Sequence, residues 1–329
     1  MSTAPADGFG RGDSWEGLRA VVLGGGHAAF AVADNLSHLG ECVVVVSAET
    51  TEAGGERAEL LGMLGIDVRL GAAASHADLA GADLVVVAPA PSEPEPLDVV
   101  LAATAEGVPV LGELDLAWRL RAAADAPPWL VAAGTHAVEI AVLTEEMLRA
   151  AGTPALVCGA AGLPLVEAVM DPSPYRALVV ALDAGSLERA GSMHAHSAAV
   201  LVAGEPVLGR AFAGVEVACV YAVADSATED LVRDADVVDG ARAIGVTLGT
   251  PGLSMVGLVE EVLADRAFVE DRRTSAAELG TLGDLGSEDP AAVLAALGAA
   301  ALARAFGASP AAVRAGLRAA RDGHPAGPD

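Results

Sequence analysis

Several residue types are missing or scarce in this chain of 329 residues. Lysine and glutamine do not occur, Asn35 is the only asparagine, and all 19 basic residues are arginines. Aromatic residues make up only 3% of the chain, so its core must be built from alanine, valine and leucine. Such a core favours helices packed on parallel strands over a sandwich of aromatic-rich strands. A GC-rich coding bias would produce the same depletion without selection on function.

Positive charge is also scarce, because the formal net charge is −26. That charge repels phosphate backbones and anionic membrane surfaces, which bind proteins through lysine and arginine. No apolar run reaches the roughly 20 residues that a membrane-spanning helix needs. We therefore expect neither nucleic acid nor membrane as a partner.

The chain has three cysteines, Cys42, Cys158 and Cys219, which are widely spaced among apolar residues. An odd number at such spacing is typical of buried thiols in a reducing cytoplasm, and not of disulfides or a metal site. Residues 1–15 are small and polar, without the basic start and apolar stretch of a signal peptide. They are expected to form a flexible tail on a cytoplasmic protein.

Strand and helix patterns alternate over residues 16–121, which predicts a Rossmann-like, doubly wound α/β domain. The expected strands are Arg19–Leu23, Cys42–Ser47, Asp67–Leu70, Asp83–Ala88 and Val108–Leu111. The expected helices are Ala28–Leu39, Glu56–Leu64 and Leu97–Ala105.

A proline-containing linker over residues 122–128 then precedes a second α/β domain over residues 129–321. Its expected strands are Trp129–Ala133, Ala155–Cys158, Ala177–Leu182, Ala198–Val202, Val215–Val220 and Ala243–Leu248. Its expected final helices are Ala291–Phe306 and Pro310–Ala320, the second with Ser309 as N-cap. Residues 322–329 are expected to form a tail.

The first domain carries one candidate ligand site. Gly24-x-Gly26-x-x-Ala29 has the form of a dinucleotide or UDP turn, in which Gly26 allows close backbone approach and the helix N-terminus attracts phosphate. The acidic residue expected after the second strand is replaced at residues 47–48, although Glu49 can reach the same place. A UDP-sugar is one interpretation; the other is that the glycines only let the helix pack on the strand.

Histidines offer two further patterns. His194 and His196 alternate in a strand-like segment, but no third ligand is evident nearby, so we expect no metal site. His27 and His136 each lie in a glycine turn, and neither has a neighbouring nucleophile or carboxylate that would define an acid–base role.

Three segments resemble the Mur ligases that add glutamate in bacteria. Residues 107–119 (GVPVLGELDLAWR) resemble the end of the first domain in that family. Residues 218–225 (ACVYAVAD) and 243–249 (AIGVTLG) resemble the central domain of its actinobacterial members. The resemblance spans Leu18 to Arg321 and implies a UDP-sugar-binding first domain and a P-loop ATPase-like central domain. The family's third domain is expected to be absent.

The resemblance also identifies the positions of the ATP site. Where the family has its phosphate loop, G-T-N-G-K-T-T, this chain has Gly134 to Glu139, in which Gly134 and Thr135 are kept and His136 and Glu139 stand instead of family residues. The lysine is lost, and Glu139 would place a negative charge beside the phosphates. At 4 Å and an effective dielectric constant near 20, each such contact is worth roughly 4 kcal/mol, so useful ATP affinity is expected to be lost.

Polar residues at the other matching positions are replaced by alanine. The family's Mg²⁺-holding glutamate falls on Ala181, with Asp183 two residues further on. The asparagine of a G-N-x-G turn falls on Ala160, and the two asparagines of an adenine-side motif fall on Ala292 and Ala295. A chain without lysine also cannot carry the family's carbamylated lysine.

The resemblance therefore implies a catalytically inactive relative that has lost ATP and Mg²⁺, with no catalytic residues and no cofactor. Such a pseudoenzyme would act through a protein partner, as a homo-oligomer, or through a retained UDP-sugar, linked to peptidoglycan precursor and cell-wall synthesis. The alternatives are a repurposed enzyme that uses the first-domain turn with His27 or His136, a residual ligase relative, and a decaying duplicate.

Overall fold

A computed structural model describes residues 9–40, 42–48, 50–71, 73–89, 95–121, 126–191 and 193–323. The strands are β1 (Arg19–Leu23), β2 (Cys42–Ser47), β3 (Asp67–Leu70), β4 (Leu84–Val87), β5 (Val110–Gly112), β6 (Trp129–Ala133), β7 (Ala155–Gly159), β8 (Ala177–Leu182), β9 (Ser197–Val200), β10 (Ala218–Ala222), β11 (Arg242–Thr247), β12 (Met255–Val259), β13 (Val262–Asp265) and β14 (Ala277–Thr281). The helices are α1 (His27–Ser37), α2 (Glu52–Met63), α3 (Leu97–Ala105), α4 (Glu113–Leu120), α5 (Ala137–Ala150), α6 (Leu165–Met170), α7 (Ala184–Glu188), α8 (Ser226–Arg233), α9 (Leu282–Leu285), α10 (Pro290–Ala305) and α11 (Pro310–Gly323).

The chain divides into two units. The first comprises residues 1–126, 164–172 and 189–191, and the second comprises residues 127–163, 173–188 and 192–329. The short α6 therefore belongs to the first unit, although both of its flanking segments belong to the second. Residues 122–125 of the expected linker lie outside the described residues.

The first unit is built on a five-stranded parallel sheet in the order β3-β2-β1-β4-β5. Strands β2 and β4 are valine runs, as expected of strands that helices cover on both faces. Because β2 and β4 flank β1 on opposite sides, the strand order reverses at β1. Ligands bind at such a reversal in open α/β sheets, at the carboxyl ends of the strands.

Residues 9–15 are not a flexible tail. Phe9 and Trp15 are both buried, with their ring centroids 5.5 Å apart, and the Trp15 indole N–H donates to the carbonyl of Gly10. The backbone N–H of Arg11 donates to the carbonyl of Arg119 in α4. The two buried aromatic side chains thus order residues 9–15, which the small polar residues around them had indicated to be flexible.

The second unit contains a nine-stranded sheet in the order β14-β13-β12-β11-β10-β9-β6-β8-β7. Strands β6 to β12 run parallel, whereas β13 pairs antiparallel with both β12 and β14. Helices α5, α10 and α11 pack together, and α10 buries its alanine-rich length in the core against the sheet. The predicted α/β architecture of both units is confirmed.

Most predicted elements occur within a few residues of their expected bounds, but the hairpin β12–β13 and strand β14 were missed. Ser309 caps α11 as predicted, because its hydroxyl accepts a hydrogen bond from the N–H of Ala312 at 3.2 Å. Helix α11 continues to Gly323, so residues 322 and 323 of the expected tail are helical, and residues 324–329 lie outside the described part.

One buried ion pair joins the end of α10 to the end of β13 in the second unit. The side chain of Asp265 is fully buried and accepts a hydrogen bond from Arg304 Nε at 2.9 Å, and from the backbone N–H groups of Ala267 and Phe268.

Within the described residues, no helix has both the length and the apolar character to cross a bilayer.

Candidate functional site

A cavity of about 440 Å³ lies at the carboxyl ends of the first-unit strands. It is lined by Gly24, Val46, Ala48, Ala73, Ala74, Pro89, Glu95, Pro96, Leu97, Asp98 and Val99. Gly24 directly follows β1, and Pro89 follows β4 by two residues. The cavity therefore occupies the point where the strand order reverses.

The structure separates the roles of the predicted turn residues. A Cβ on Gly24 would lie 2.0 Å from the carbonyl oxygen of Ala88, and its φ of +142° suits glycine alone. Gly26 is the N-cap of α1, and Ala29 is fully buried, so Ala29 serves packing and cannot touch a ligand. His27 is the exposed first residue of α1. Glu49 lies outside the described residues.

The described walls of the cavity carry two carboxylates, one of them paired with an arginine. Glu95 is half-buried and contacts the guanidinium of Arg189, and Asp98 is exposed at the first turn of α3. Among the described lining residues there is no arginine or histidine, which are the groups that would neutralise a diphosphate. These walls suit an uncharged group better than a phosphate.

Sequence reasoning found the glycine turn but missed the residues after β4. The segment that begins at Ala88 and ends at Asp98 is rich in proline and glutamate, and no site residue was predicted in it. Its position after a strand beside the reversal point is the signal that could have identified Glu95 and Asp98.

The glycine turn of the second unit is preserved in shape. Gly134 has a φ of +89°, and its N–H donates to the carbonyl of Leu182 at 3.0 Å. His136 is the N-cap of α5, without a hydrogen bond from its side chain to the cap, and Thr135 beside it is exposed. The backbone thus forms a strand–turn–helix of the kind that cradles phosphate.

The side chains of this turn do not fit a nucleoside triphosphate. Glu139 lies exposed in the first turn of α5, where a phosphate would meet its charge, and Val138 beside it is 43% exposed. Leu208 packs close to Gly134. Arg210, two residues further along the chain, donates to the carbonyls of Leu187 and Glu188 and so is not directed at a phosphate in the turn. Repulsion without a compensating cation disfavours phosphate binding here.

The positions expected to have held Mg²⁺ and adenine are occupied by alanine in ordinary packing. Ala181 is almost fully buried in the core, and Asp183 accepts a hydrogen bond from the N–H of Ser186, so its carboxylate caps α7. On α10, Ala292 donates its N–H to the cap residue Asp289 and Ala295 is buried.

Ala160 is exposed in a turn that remains ordered. The N–H of Gly159 donates to the carbonyl of Leu163 at 2.8 Å, and the N–H of Ala160 donates to the carbonyl of Ala181 at 2.9 Å. The main chain of this turn is therefore ordered, with alanine where the resemblance implies asparagine.

The two histidines of the H-x-H pattern have different surroundings. His194 is exposed, whereas His196 is half-buried, 3.0 Å from the hydroxyl of Ser197 and in ring contact with Phe306. Burial lowers the pKa of His196, opposed in part by the charge of Glu216. Among the described residues, no group of three histidine, cysteine, aspartate or glutamate side chains could hold a metal ion.

Two solved structures with similar architecture are Mur ligases. A UDP-N-acetylmuramate:L-alanyl-γ-D-glutamyl-meso-diaminopimelate ligase from Neisseria meningitides matches 92% of this chain and 98% of its own, with a TM-score of 0.59 at 16% identity. A UDP-N-acetylmuramate–alanine ligase from Thermotoga maritima matches 92% of this chain and 68% of its own, with a TM-score of 0.51 at 17% identity. The fold is that of the Mur ligases.

Curated relatives define the family more closely. The UDP-N-acetylmuramoylalanine–D-glutamate ligase of Streptomyces avermitilis is 44% identical over 327 residues, covering 94% of this chain and 69% of the relative. That of Streptomyces coelicolor is 43% identical over 321 residues, covering 93% and 67%. No protein-family model matches the chain. The chain belongs to the family of UDP-N-acetylmuramoylalanine–D-glutamate ligases, as its sequence motifs predicted.

Proposed function

We propose that this chain is a member of the family without ATP-dependent ligase activity, acting by binding a protein partner or a small ligand. The observation that carries the proposal is the phosphate turn. Its backbone is kept at Gly134, but Val138 stands at the lysine position and Glu139 adds a negative charge. The residues present do not fit ATP with Mg²⁺.

The replacement of polar groups that the resemblance implies extends beyond one position, which supports a changed function over a single tolerated substitution. Ala160, Ala181, Ala292 and Ala295 replace polar family residues while the turns and helices around them stay packed. If each electrostatic stabiliser of a transition state is worth about 3 kcal/mol, the loss of several removes most of an enzyme's rate advantage.

The proposal is tested by nucleotide binding, with variants that place the test in the second unit. Calorimetric titration of the chain with ATP and Mg²⁺ is expected to show no binding at millimolar nucleotide. The double variant V138K/E139T restores the cation and the hydroxyl of the family loop and should gain measurable affinity. A150K is the added-charge control and should gain nothing, because Ala150 is exposed at the far end of the same helix.

Ligation is the second readout. Phosphate release that depends on UDP-N-acetylmuramoyl-L-alanine, D-glutamate and Mg²⁺ should stay at the level of a blank preparation, while the Streptomyces avermitilis ligase serves as positive control. ATP binding by the unmodified chain, or release above the blank, would overturn the proposal.

A second candidate function rests on the first-unit cavity. Its volume, its place at the strand reversal and its apolar walls support a retained small-molecule site beside Gly24. In this case the chain keeps part of the family's substrate recognition, or uses the cavity for new chemistry, and the link to peptidoglycan precursors follows from its relatives. Comparison of UDP-sugars, ATP and NAD by thermal shift tests this candidate, since a ligand at 100 times its Kd stabilises a protein by about 2.7 kcal/mol.

A further inference from the structure

Four arginines gather at one end of the second-unit sheet. Arg242 is the first residue of β11, Arg266 directly follows β13, and Arg272 and Arg273 lie in the loop that leads to β14. Gly134 follows the last residue of β6, which runs parallel to β11 in the same sheet. The arginines therefore lie at the edge opposite the phosphate turn.

This concentration of positive charge is unusual in a chain with 45 acidic and 19 basic residues. None of these four forms an ion pair with any carboxylate in the described part of the chain, whereas Arg304 pairs with Asp265 close by.

Arg266 holds the two loops of this region together. Its guanidinium donates to the carbonyl of Pro251 at 3.1 Å and to the carbonyls of Arg272 and Arg273 at 3.2 and 3.3 Å. Its hydrogen bonds go to the backbone, so Arg266 positions the loop that carries Arg272 and is not itself the recognition group.

Arg242 and Arg272 are held by neutral groups. Arg242 donates to the carbonyl of Ala267 and lies 5.3 Å from the ring centroid of Phe268, while Arg272 donates to the hydroxyl of Ser254 at 3.2 Å. Burial lowers the pKa of Arg242 and the nearby charge of Arg272 lowers it further, which Asp265 opposes in part. The two guanidinium groups therefore repel each other, and an anion placed beside both would relieve that repulsion.

Two of the three carboxylates on this part of the chain already have partners. Asp265 is bound to Arg304, and Asp271 accepts a hydrogen bond from the hydroxyl of Thr274 at 2.5 Å. Glu270 is exposed on the same loop without an ion pair among the described residues. The four arginines outnumber the three carboxylates Asp265, Glu270 and Asp271.

An apolar side chain stands beside the arginines. Leu253 precedes Ser254 and is 52% exposed. Arginine next to an exposed apolar residue is typical of protein interfaces, where the guanidinium pairs with a carboxylate and the apolar group is covered. The surface formed by Arg242, Leu253, Ser254 and Arg272 is called the arginine patch below.

We propose that the arginine patch docks a short acidic segment of a partner protein, which contributes a carboxylate to Arg242 and Arg272 and an apolar side chain to Leu253. The inference rests on the proposed function, in which the chain acts through a protein partner. A nucleic acid or an anionic membrane extends well beyond the Debye length of about 8 Å and would meet the acidic surface around the patch. A short segment remains within the patch.

The test uses a fluorescein-labelled peptide of alternating glutamate and leucine, with fluorescence anisotropy as the readout. R242Q/R272Q should weaken binding about tenfold, because two partly exposed charge pairs are lost, and R272Q alone should weaken it by a smaller factor. R176Q is the matched control, since Arg176 is an exposed arginine of the same unit without an ion pair among the described residues. Added salt should weaken binding to the unmodified chain.

Thermal melting of each variant shows whether it is folded. R272Q removes only one hydrogen bond, to Ser254, and is expected to disturb the fold less than R242Q/R272Q. The proposal is overturned if the peptide does not bind, if a peptide with glutamine in place of glutamate binds equally well, or if R176Q loses as much affinity as R272Q. Self-association that R272Q abolishes, measured by sedimentation, would instead assign the patch to a second copy. ATP binding does not enter these readouts, so this inference and the loss of ligase activity fail separately.

Discussion

Gly316 on α11 lies against the backbone of Met147 on α5. A Cβ added to Gly316 would come within 2.5 Å of the Met147 Cα and 2.6 Å of its backbone nitrogen. Met147 is itself fully buried. The two helices of the second unit therefore meet backbone to backbone, at a distance that only glycine allows.

G316A should destabilise the second unit by about 2 kcal/mol, because overpacking forces the helices apart. Urea unfolding followed by circular dichroism measures the change. G323A on the same helix is the control, since nothing lies within 4 Å of its added Cβ, and it should leave stability within about 1 kcal/mol of the unmodified chain. Equal stability of G316A and the unmodified chain would show that the helices do not approach this closely.

Asp284 should make the stability of the second unit depend on acid pH. Burial pushes the pKa of its carboxyl upward, but hydrogen bonds from Arg318, Arg314 and Thr281 outweigh burial and hold the pKa well below its usual range. A depressed folded-state pKa stabilises above the unfolded pKa of about 4, and this contribution falls away as the pH drops below it.

D284N should therefore lose about 1–2 kcal/mol of unfolding free energy at pH 7, where the carboxylate accepts charged hydrogen bonds. The difference in unfolding free energy between D284N and the unmodified chain should become smaller at pH 3 than at pH 7, as measured by urea unfolding at both pH values. D322N is a suitable control, because Asp322 is exposed at the end of the same arginine-rich helix. A difference in unfolding free energy that stays constant with pH would contradict the link between ionisation of Asp284 and stability.

Cys219 should resist alkylation in the folded protein. It is buried in β10, with a relative exposure of 2%, and burial raises the pKa of its thiol to about 12. Only the thiolate reacts, so iodoacetamide at pH 8 should modify Cys219 at least about a hundredfold more slowly in buffer than in urea. Mass mapping resolves Cys219 and the fully buried Cys158 from Cys42. Rapid native labelling of Cys219 would mean that β10 opens.

The first-unit cavity should prefer an uncharged ligand. At equal concentration, uridine is expected to raise the melting temperature more than UDP, because the exposed Asp98 repels the diphosphate. D98N should reduce the difference between the two ligands. E106Q, at the other end of α3, should leave it unchanged. A larger shift with UDP would restore the diphosphate as the favoured ligand.

Much of the fold was predictable because parallel strands buried on both faces appear as continuous apolar runs. The valines of β2 and β4 indicated their strands, and the alanine and leucine run of α10 indicated its helix. The β12–β13 hairpin was missed because its turn is formed by Glu260 and Glu261, with Glu260 at a φ of +54°. Glutamate carries none of the asparagine–glycine signal of a tight hairpin turn.

The site was predictable only in part, for a related reason. A glycine that must adopt a positive φ is visible in the sequence, and both Gly24 and Gly134 were found. The wall of a cavity depends on which loops the sheet brings together, so Glu95 and Asp98 appeared only with the structure. The grouping of Arg242 with Arg272 is likewise set by the pairing of strands that sequence reasoning missed.

The interleaving of the two units has a genetic consequence. Helix α6 is encoded within the stretch that specifies the second unit, yet the N–H of Leu165 donates to Glu113 Oε1 of α4 at 2.6 Å, within the first unit. A recombination breakpoint at residue 126 would separate α4 from the residues that complete it. The two units are therefore expected to be inherited together, and neither can be exchanged between genes as a single cassette.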